Sequence, residues 1–287
     1  MYYLQLAVNG LSQGLVVGLA ALGITLVFGI ARFANASAGD SLTFGAYMAL
    51  VGQRLTGSLL LAAGFAIAMS VVGAVLSHQL VFKRLAGRST VALLVGSIGL
   101  AFLLRGALGA VFGHQQQVFD IALTAPYRIG ELTISALDLQ MAGAAGLCLA
   151  LAFGTMYFTP IGRQMRAVAD NPDLARVSGI HPERVMIALW CLVGAITAVA
   201  GLILGLKTVV SPELGWEMLL PAFAAAILGG IGSPTGAIAA GLLLGAAQEI
   251  STPFVGFTYK IALSFVVILF VLLVRPRGLF GRVEGVR

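Results

Sequence analysis

Apolar runs long enough to cross a bilayer recur along this chain, with little charge between them. No acidic or basic residue precedes Arg32, and Leu4 to Ile30 is almost wholly apolar. Leu59 to Phe82, Val91 to Phe112, Asp138 to Phe158 and Val185 to Lys207 read the same way, with Arg105 the one interior charge. A hydrocarbon core of ~30 Å needs roughly 20 such residues in a helix. Segments in lipid must satisfy their own backbone groups, which favours helices. Only 10% of the 287 residues are charged, against roughly 25% in soluble domains. These observations predict an all-α polytopic membrane protein of about eight transmembrane helices, short or broken ones included. One transmembrane domain is expected over residues 1–287.

The basic residues set the orientation. Lys83 to Arg88, Arg163 to Arg184 and Val274 to Arg287 hold about eleven of the 17 Lys and Arg. The positive-inside rule puts these three stretches, and the C-terminus, in the cytoplasm. The net charge of +6 therefore reports topology and gives no reason to expect nucleic acid. The N-terminus lacks the basic start of a cleaved signal peptide, so the first span is expected to be retained. Cys148 and Cys191 lie in apolar segments and are expected to be packed thiols.

The longest polar run is Thr159 to Arg184, TPIGRQMRAVADNPDLARVSGIHPER. Within it the sequence predicts one short helix with marked ends. Asn171 suits the cap, Pro172 the first helical position, and Asp173 the positive helix end. Gly179 suits a left-handed stop. Leu174 and Val177 share a face. The features fit a solvated connector and a docking element for a soluble partner equally well; helix-in-groove docking needs such a half-apolar face.

Two other interruptions stand inside apolar sequence. Ala31 to Tyr47 contains Asn35, Ser37, Gly39 and Asp40 among small residues, and the apolar stretch after it is short. LGGIGSPTGA, Leu228 to Ala237, divides Met218 to Ile250 into apolar pieces of about 11 and 13 residues. Phe257 to Val274 is a further span that ends in the cytoplasm, so topology requires Met218 to Ile250 to begin and end outside. The two pieces are therefore expected to be short helices or a re-entrant hairpin. Irregular backbone at membrane depth survives where it is buried in protein or lines a wet cavity. Paired interruptions in two halves point to a central pathway. Asn35, Ser37, Gly39 and Asp40, with Gly229, Gly230, Gly232, Ser233 and Pro234, are the expected pathway residues.

Several chemistries find no support. There is no phosphate-binding G-x-x-x-x-G-K-[ST] loop and no H-E-x-x-H. Ionisable residues deep in the spans are scarce, whereas ion-coupled carriers and pumps need them. Driven transport would then take its energy from another subunit. An ion-coupled secondary carrier and a passive channel for a small solute are the alternatives.

Three stretches together carry a resemblance: GIARFANASAGDSLTFGAY from Gly29 to Tyr47, GRQMRAVADNPDLARVSGI from Gly162 to Ile180, and LGGIGSPTGA followed by RPRGLFG from Arg275 to Gly281. In this order, and over nearly the whole chain, they resemble the inner-membrane permeases of branched-chain amino acid ABC importers. The resemblance implies a multi-pass permease of the bacterial inner membrane that is not itself an enzyme. Its partners would be a homologous second permease, two cytoplasmic ATPases that bind the ATP, a periplasmic substrate-binding protein, and the membrane lipid around it. No cofactor is implied in this chain. The coupling loop would span 159–184, and its helix would enter an ATPase cleft through Leu174, Ala175, Val177 and Gly179. Arg166, Asp173 and Arg176 would set its orientation. The family pattern N-F-A-H-G reads Asn35, Ala36, Ser37, Ala38, Gly39 here. The aromatic and the His are gone, which leaves urea, short amides and other small solutes beside branched-chain amino acids as candidate cargo.

Overall fold

The computed structural model describes residues 2–121, 127–129, 132–256, 259–275 and 278–280. Pro126, Glu131, residues 257 and 258 of the last apolar run, Pro276, Arg277 and the basic tail 281–287 lie outside them. The helices are α1 (Tyr2–Ala31), α2 (Ala38–Thr56), α3 (Leu59–Ser77), a π-turn (His78–Phe82), α4 (Lys83–Leu85), α5 (Thr90–Phe112), α6 (Ala136–Phe158), α7 (Pro160–Asp170), α8 (Pro172–Val177), α9 (Pro182–Lys207), α10 (Leu214–Gly229), α11 (Pro234–Val255) and α12 (Lys260–Val274). Among the described residues, α1, α3 with its continuation to Leu85, α5, α6 and α9 are long and apolar enough to cross a membrane. Shorter or more polar helices accompany them, as expected for an all-α polytopic protein. A small antiparallel hairpin, Tyr127–Ile129 with Leu132–Ile134, sits in the polar stretch before α6 and had no counterpart in the sequence reading.

The chain divides into two compact units, with boundaries inside α1, α6 and α10. The larger unit comprises Leu26–Phe119 and Leu147–Glu217. Its core is α2 packed on both α3 and α9. One end gathers two basic loops: Lys83 pairs with Glu183, and the Arg32 guanidinium donates to the carbonyls of Ala169 and Asp170. The other end joins Arg54 to Gln117, 2.8 Å, and Gln117 to Val210 through reciprocal backbone bonds. The π-turn that prolongs α3 belongs to an aromatic stack. Phe82 lies 4.8 Å from Trp190 and 5.1 Å from Phe33, centroid to centroid.

The smaller unit comprises Met1–Thr25, Asp120–Gly146 and Met218–Arg287. Here α1 and α11 meet along glycine. Gly10 and Gly14 face Ala246 and Leu242, and Gly241 and Gly245 face the backbone of Gly18 and Gly14. The spacing of four keeps each set on one helix face. In lipid, helices gain by such close backbone approach, because no hydrophobic force holds them together. A Cβ on Gly14 would sit 2.7 Å from the Cα of Leu242. Gly14→Val is therefore expected to force the helices apart at a cost of about 1–3 kcal/mol, read as a lower Tm in detergent.

The second interruption separates two helices, one of the two arrangements expected. The pieces flanking Leu228 to Ala237 become helices of 16 and 22 residues. The second continues past the apolar run because its polar residues find partners on α12. Gln248 Nε2 donates to Ser264 Oγ at 2.8 Å, and Lys260 Nζ lies 2.6 Å from Glu249 Oε1.

Candidate functional site: the α2 entry segment and the capped loop helix

The segment between α1 and α2 is irregular from Arg32 to Ser37 and is buried at its critical positions. Arg32 takes a positive φ of 57°, rare outside glycine, and ends α1 there. Asn35 Oδ1 accepts from the backbone nitrogen of Ser37 at 3.1 Å and from its hydroxyl at 2.7 Å. The Ala36 nitrogen donates to Ser97 Oγ on α5, 3.0 Å. These bonds replace the helical ladder that the segment gives up. The first turn of α2 is then enclosed: Ala38, Gly39 and Asp40 are all buried.

Asp40 is fully buried, and Arg105 of α5 meets it with two bonds: Nε to Oδ1 at 3.0 Å and Nη2 to Oδ2 at 3.1 Å. The planar guanidinium matches the carboxylate in this two-bond geometry. Trp216 covers the guanidinium at 4.7 Å and Phe102 at 5.5 Å. The backbone nitrogen of Gly215 donates to Thr43 Oγ1 at 2.8 Å, tying the start of α10 to the same turn. Arg105, the one interior charge of its span, thus pairs within the protein. Charges in a membrane protein interior mark functional positions or locked joints. A bidentate pair under two rings has the character of a joint, holding the broken start of α2 to α5.

The pathway residues expected from sequence fall in different units. Asn35, Ser37, Gly39 and Asp40 belong to the larger unit and lie together in the α2 entry. Gly229, Gly230, Gly232, Ser233 and Pro234 belong to the smaller unit. They form the turn between α10 and α11, and the backbone following α12 is clamped onto it. Leu279 N donates to Leu228 O at 2.8 Å and Phe280 N to Gly229 O at 3.1 Å. A Cβ on Gly278 would lie 2.5 Å from Gly230 N. Gly230 and Gly232 take the positive φ values of 97° and 87° that the turn requires. The interruption is a helix-end turn held by the backbone that follows α12.

The loop between α6 and α9 holds two helices where the sequence predicted one. Thr159 caps α7 by accepting from Gly162 N, with Pro160 in its first turn. Gly162, Met165 and Val168 bury its inner face. The sequence signal was the same Thr-Pro start that Asn171-Pro172 offers to α8. Asn171 Oδ1 accepts from the nitrogens of Asp173 and Leu174, both at 3.0 Å, and Gly179 ends the turn at φ 82°. Asn171→Ala should cost about 1 kcal/mol of local stability, measured as faster amide exchange over residues 173–177.

The faces of α8 come out as follows. Leu174 is 64% exposed and Val177 87% exposed. Gly179 is exposed, and Asp173 and Arg176 pair on the surface at 3.5 Å. Ala175 is 3% exposed and faces inward, so its assignment as a contact is corrected. Arg166 turns back onto the end of α6, with its guanidinium on the Met156 carbonyl and 5.6 Å from the Tyr157 ring. Among the described residues, no group of three or more His, Cys, Asp or Glu could hold a metal.

Residues 6–273 match the family described as the permease component of the branched-chain amino acid transport system. The high-affinity branched-chain amino acid permease protein LivH of Escherichia coli is 30% identical, over 99% of this chain and 97% of its own. BraD of Pseudomonas aeruginosa, with the same description, is also 30% identical over the same shares. In three dimensions the chain resembles one in the structure of PsaBC from Streptococcus pneumoniae in complex with Fab. The TM-score is 0.52 at 15% identity, covering 96% of this chain and 93% of that one, a likeness of fold alone. The chain belongs to the permease components of branched-chain amino acid transport systems.

Proposed function

We propose that this chain is the membrane permease subunit of an ATP-driven importer that moves branched-chain amino acids or related small solutes into the cell by alternating access. The observation that carries the reading is α8: a rigid, capped, six-residue helix that presents Leu174 and Val177 to solvent at the end of the unit where the basic loops gather. Exposed leucine and valine on a pre-organised helix suit an apolar groove on a soluble partner. The partners in this reading are two cytoplasmic ATPases, which bind the ATP, a homologous second permease, and a periplasmic binding protein that selects the solute. The three basic stretches and the C-terminus are cytoplasmic, and the membrane is the bacterial inner membrane. Asn35, Ser37, Gly39 and Asp40 lie beside the path, and ATPase closure acting on α8 reorients the helices around it. Specificity rests mainly with the binding protein.

Asp40 and Glu249 are each held by a cation. An ion-coupled carrier needs a carboxyl free to exchange its proton, so these pairs weigh against that alternative. The test is uptake of labelled leucine into proteoliposomes carrying both permeases, with ATPases inside and binding protein outside. Uptake should require ATP and the binding protein and persist when ionophores collapse the ion gradients. Loss of uptake with ionophore would favour a carrier, and uptake without ATP a channel.

A further inference from the structure

Inside the larger unit, beside the start of α2, lies a cavity of about 30 Å3 to which the transport reading gives no occupant, though Asn35 borders it. Asn35 and Ser41 line it from the α2 side, Ser70 and Ser77 from α3, and Trp190 and Thr197 from α9. Three of its hydroxyls already donate to their own backbone: Ser41 to Ser37 O at 2.8 Å, Ser77 to Gly73 O at 2.8 Å, and Thr197 to Gly194 O at 3.1 Å. Each hydroxyl has one proton, so these oxygens have only lone pairs left to offer. Ser70 and Trp190 are 3% and 2% exposed. Among the described residues, neither the Ser70 hydroxyl nor the Trp190 indole N–H has a protein partner.

We propose that this cavity is a water site in the membrane-embedded core, holding about two ordered waters that bridge α2, α3 and α9. The space fits, since one water needs roughly 10–15 Å3 for its centre. So does the chemistry: water donates to the lone pairs of Ser41, Ser77 and Thr197 and accepts from the Trp190 N–H. A monovalent cation would suit the oxygens but would leave the indole N–H facing a positive charge. A purely apolar occupant would satisfy none of these groups. Buried polar groups in folded proteins find partners, often ordered water. Water at this place also lets hydroxyls on three helices change partners without a direct bond breaking between helices.

The test uses the full chain in lipid nanodiscs. A map that resolves ordered solvent should show density within hydrogen-bond distance of Ser70 Oγ and Trp190 Nε1. In a Trp216→Phe background Trp190 is the only indole of the two, and its ultraviolet resonance Raman N–H bending band should sit at the hydrogen-bonded position. Ala74→Leu, which grows a side chain into the cavity, should remove the density and shift the band to the free position. An ordered map with an empty cavity and a free indole band in the unfilled protein would overturn the proposal. So would a single peak that disappears when sodium is replaced by choline, which would make this a cation site. The map and band of the unfilled protein decide the matter even where Ala74→Leu fails to fold.

Discussion

Arg105→Ala is expected to destabilise the folded chain by about 3–5 kcal/mol, the usual effect of removing one partner from a buried ion pair. Asp40 has no exposed surface, so water cannot replace the guanidinium. The carboxylate would have to take up a proton or drag the start of α2 toward solvent. Loss of the ring contacts from Trp216 and Phe102 adds to the effect. Arg105→Lys should recover only part, because an ammonium cannot make two parallel bonds. The informative control is Asp40→Asn combined with Arg105→Gln: a neutral amide pair of similar size, expected to lie closer to wild type than Arg105→Ala alone. Thermal unfolding in one detergent, read by circular dichroism, measures all four. A double variant no more stable than Arg105→Ala would show that the guanidinium acts through packing rather than through Asp40.

Leu174→Asp is expected to cut ATP-dependent uptake by about 100-fold or more, equivalent to ~2.7 kcal/mol, while insertion and Tm stay near wild type. The side chain is 64% exposed in the isolated chain, so nothing internal is lost. In an apolar groove the change removes about 1.5–3 kcal/mol of burial and adds an unpaired carboxylate that resists desolvation. Val177→Asp, on the same face, should act alike. Ala175→Asp is the contrast: Ala175 is buried, so that variant should lower stability as well as uptake. Co-purification with the ATPases in mild detergent checks the difference. Retention of ATPases by Leu174→Asp with uptake unimpaired would remove α8 from the coupling interface.

The elements that were legible in the sequence owe it to local chemistry. The cap at Asn171, the proline after it and the stop at Gly179 all act within a few residues, and α8 follows from them. The long spans were legible because length and apolarity alone decide them. α7 was not legible although Thr159 and Pro160 carry the same signature, because Arg163 and Arg166 interrupt the buried spacing of Met165 and Val168. Asp40 was legible as a site residue, but its tie to Arg105 was not, since 65 residues separate them and only the packing of α2 on α5 brings them together. The clamp on the glycine-rich turn at 229–232 was not legible for a related reason. Its meaning comes from the backbone of Leu279 and Phe280, which no pattern within the turn announces. Ala175 was misread because a helix of six residues has an inside that depends on what lies beneath it.

The glycine seam of the smaller unit has a consequence for how the chain is made. Gly14 and Gly241 are roughly 230 residues apart. At about 5–20 residues per second, α1 waits on the order of tens of seconds for α11 to be synthesised. A helix left alone in lipid for that time must resist wrong partners. A glycine stripe does so passively: it offers no side chain to grip, and only a helix that is itself stripped to glycine or alanine at the same spacing can come close enough to hold it. The larger unit faces a shorter delay for α2 on α3, so its core can form while α1 is still waiting. The first helix made is thus among the last to be seated.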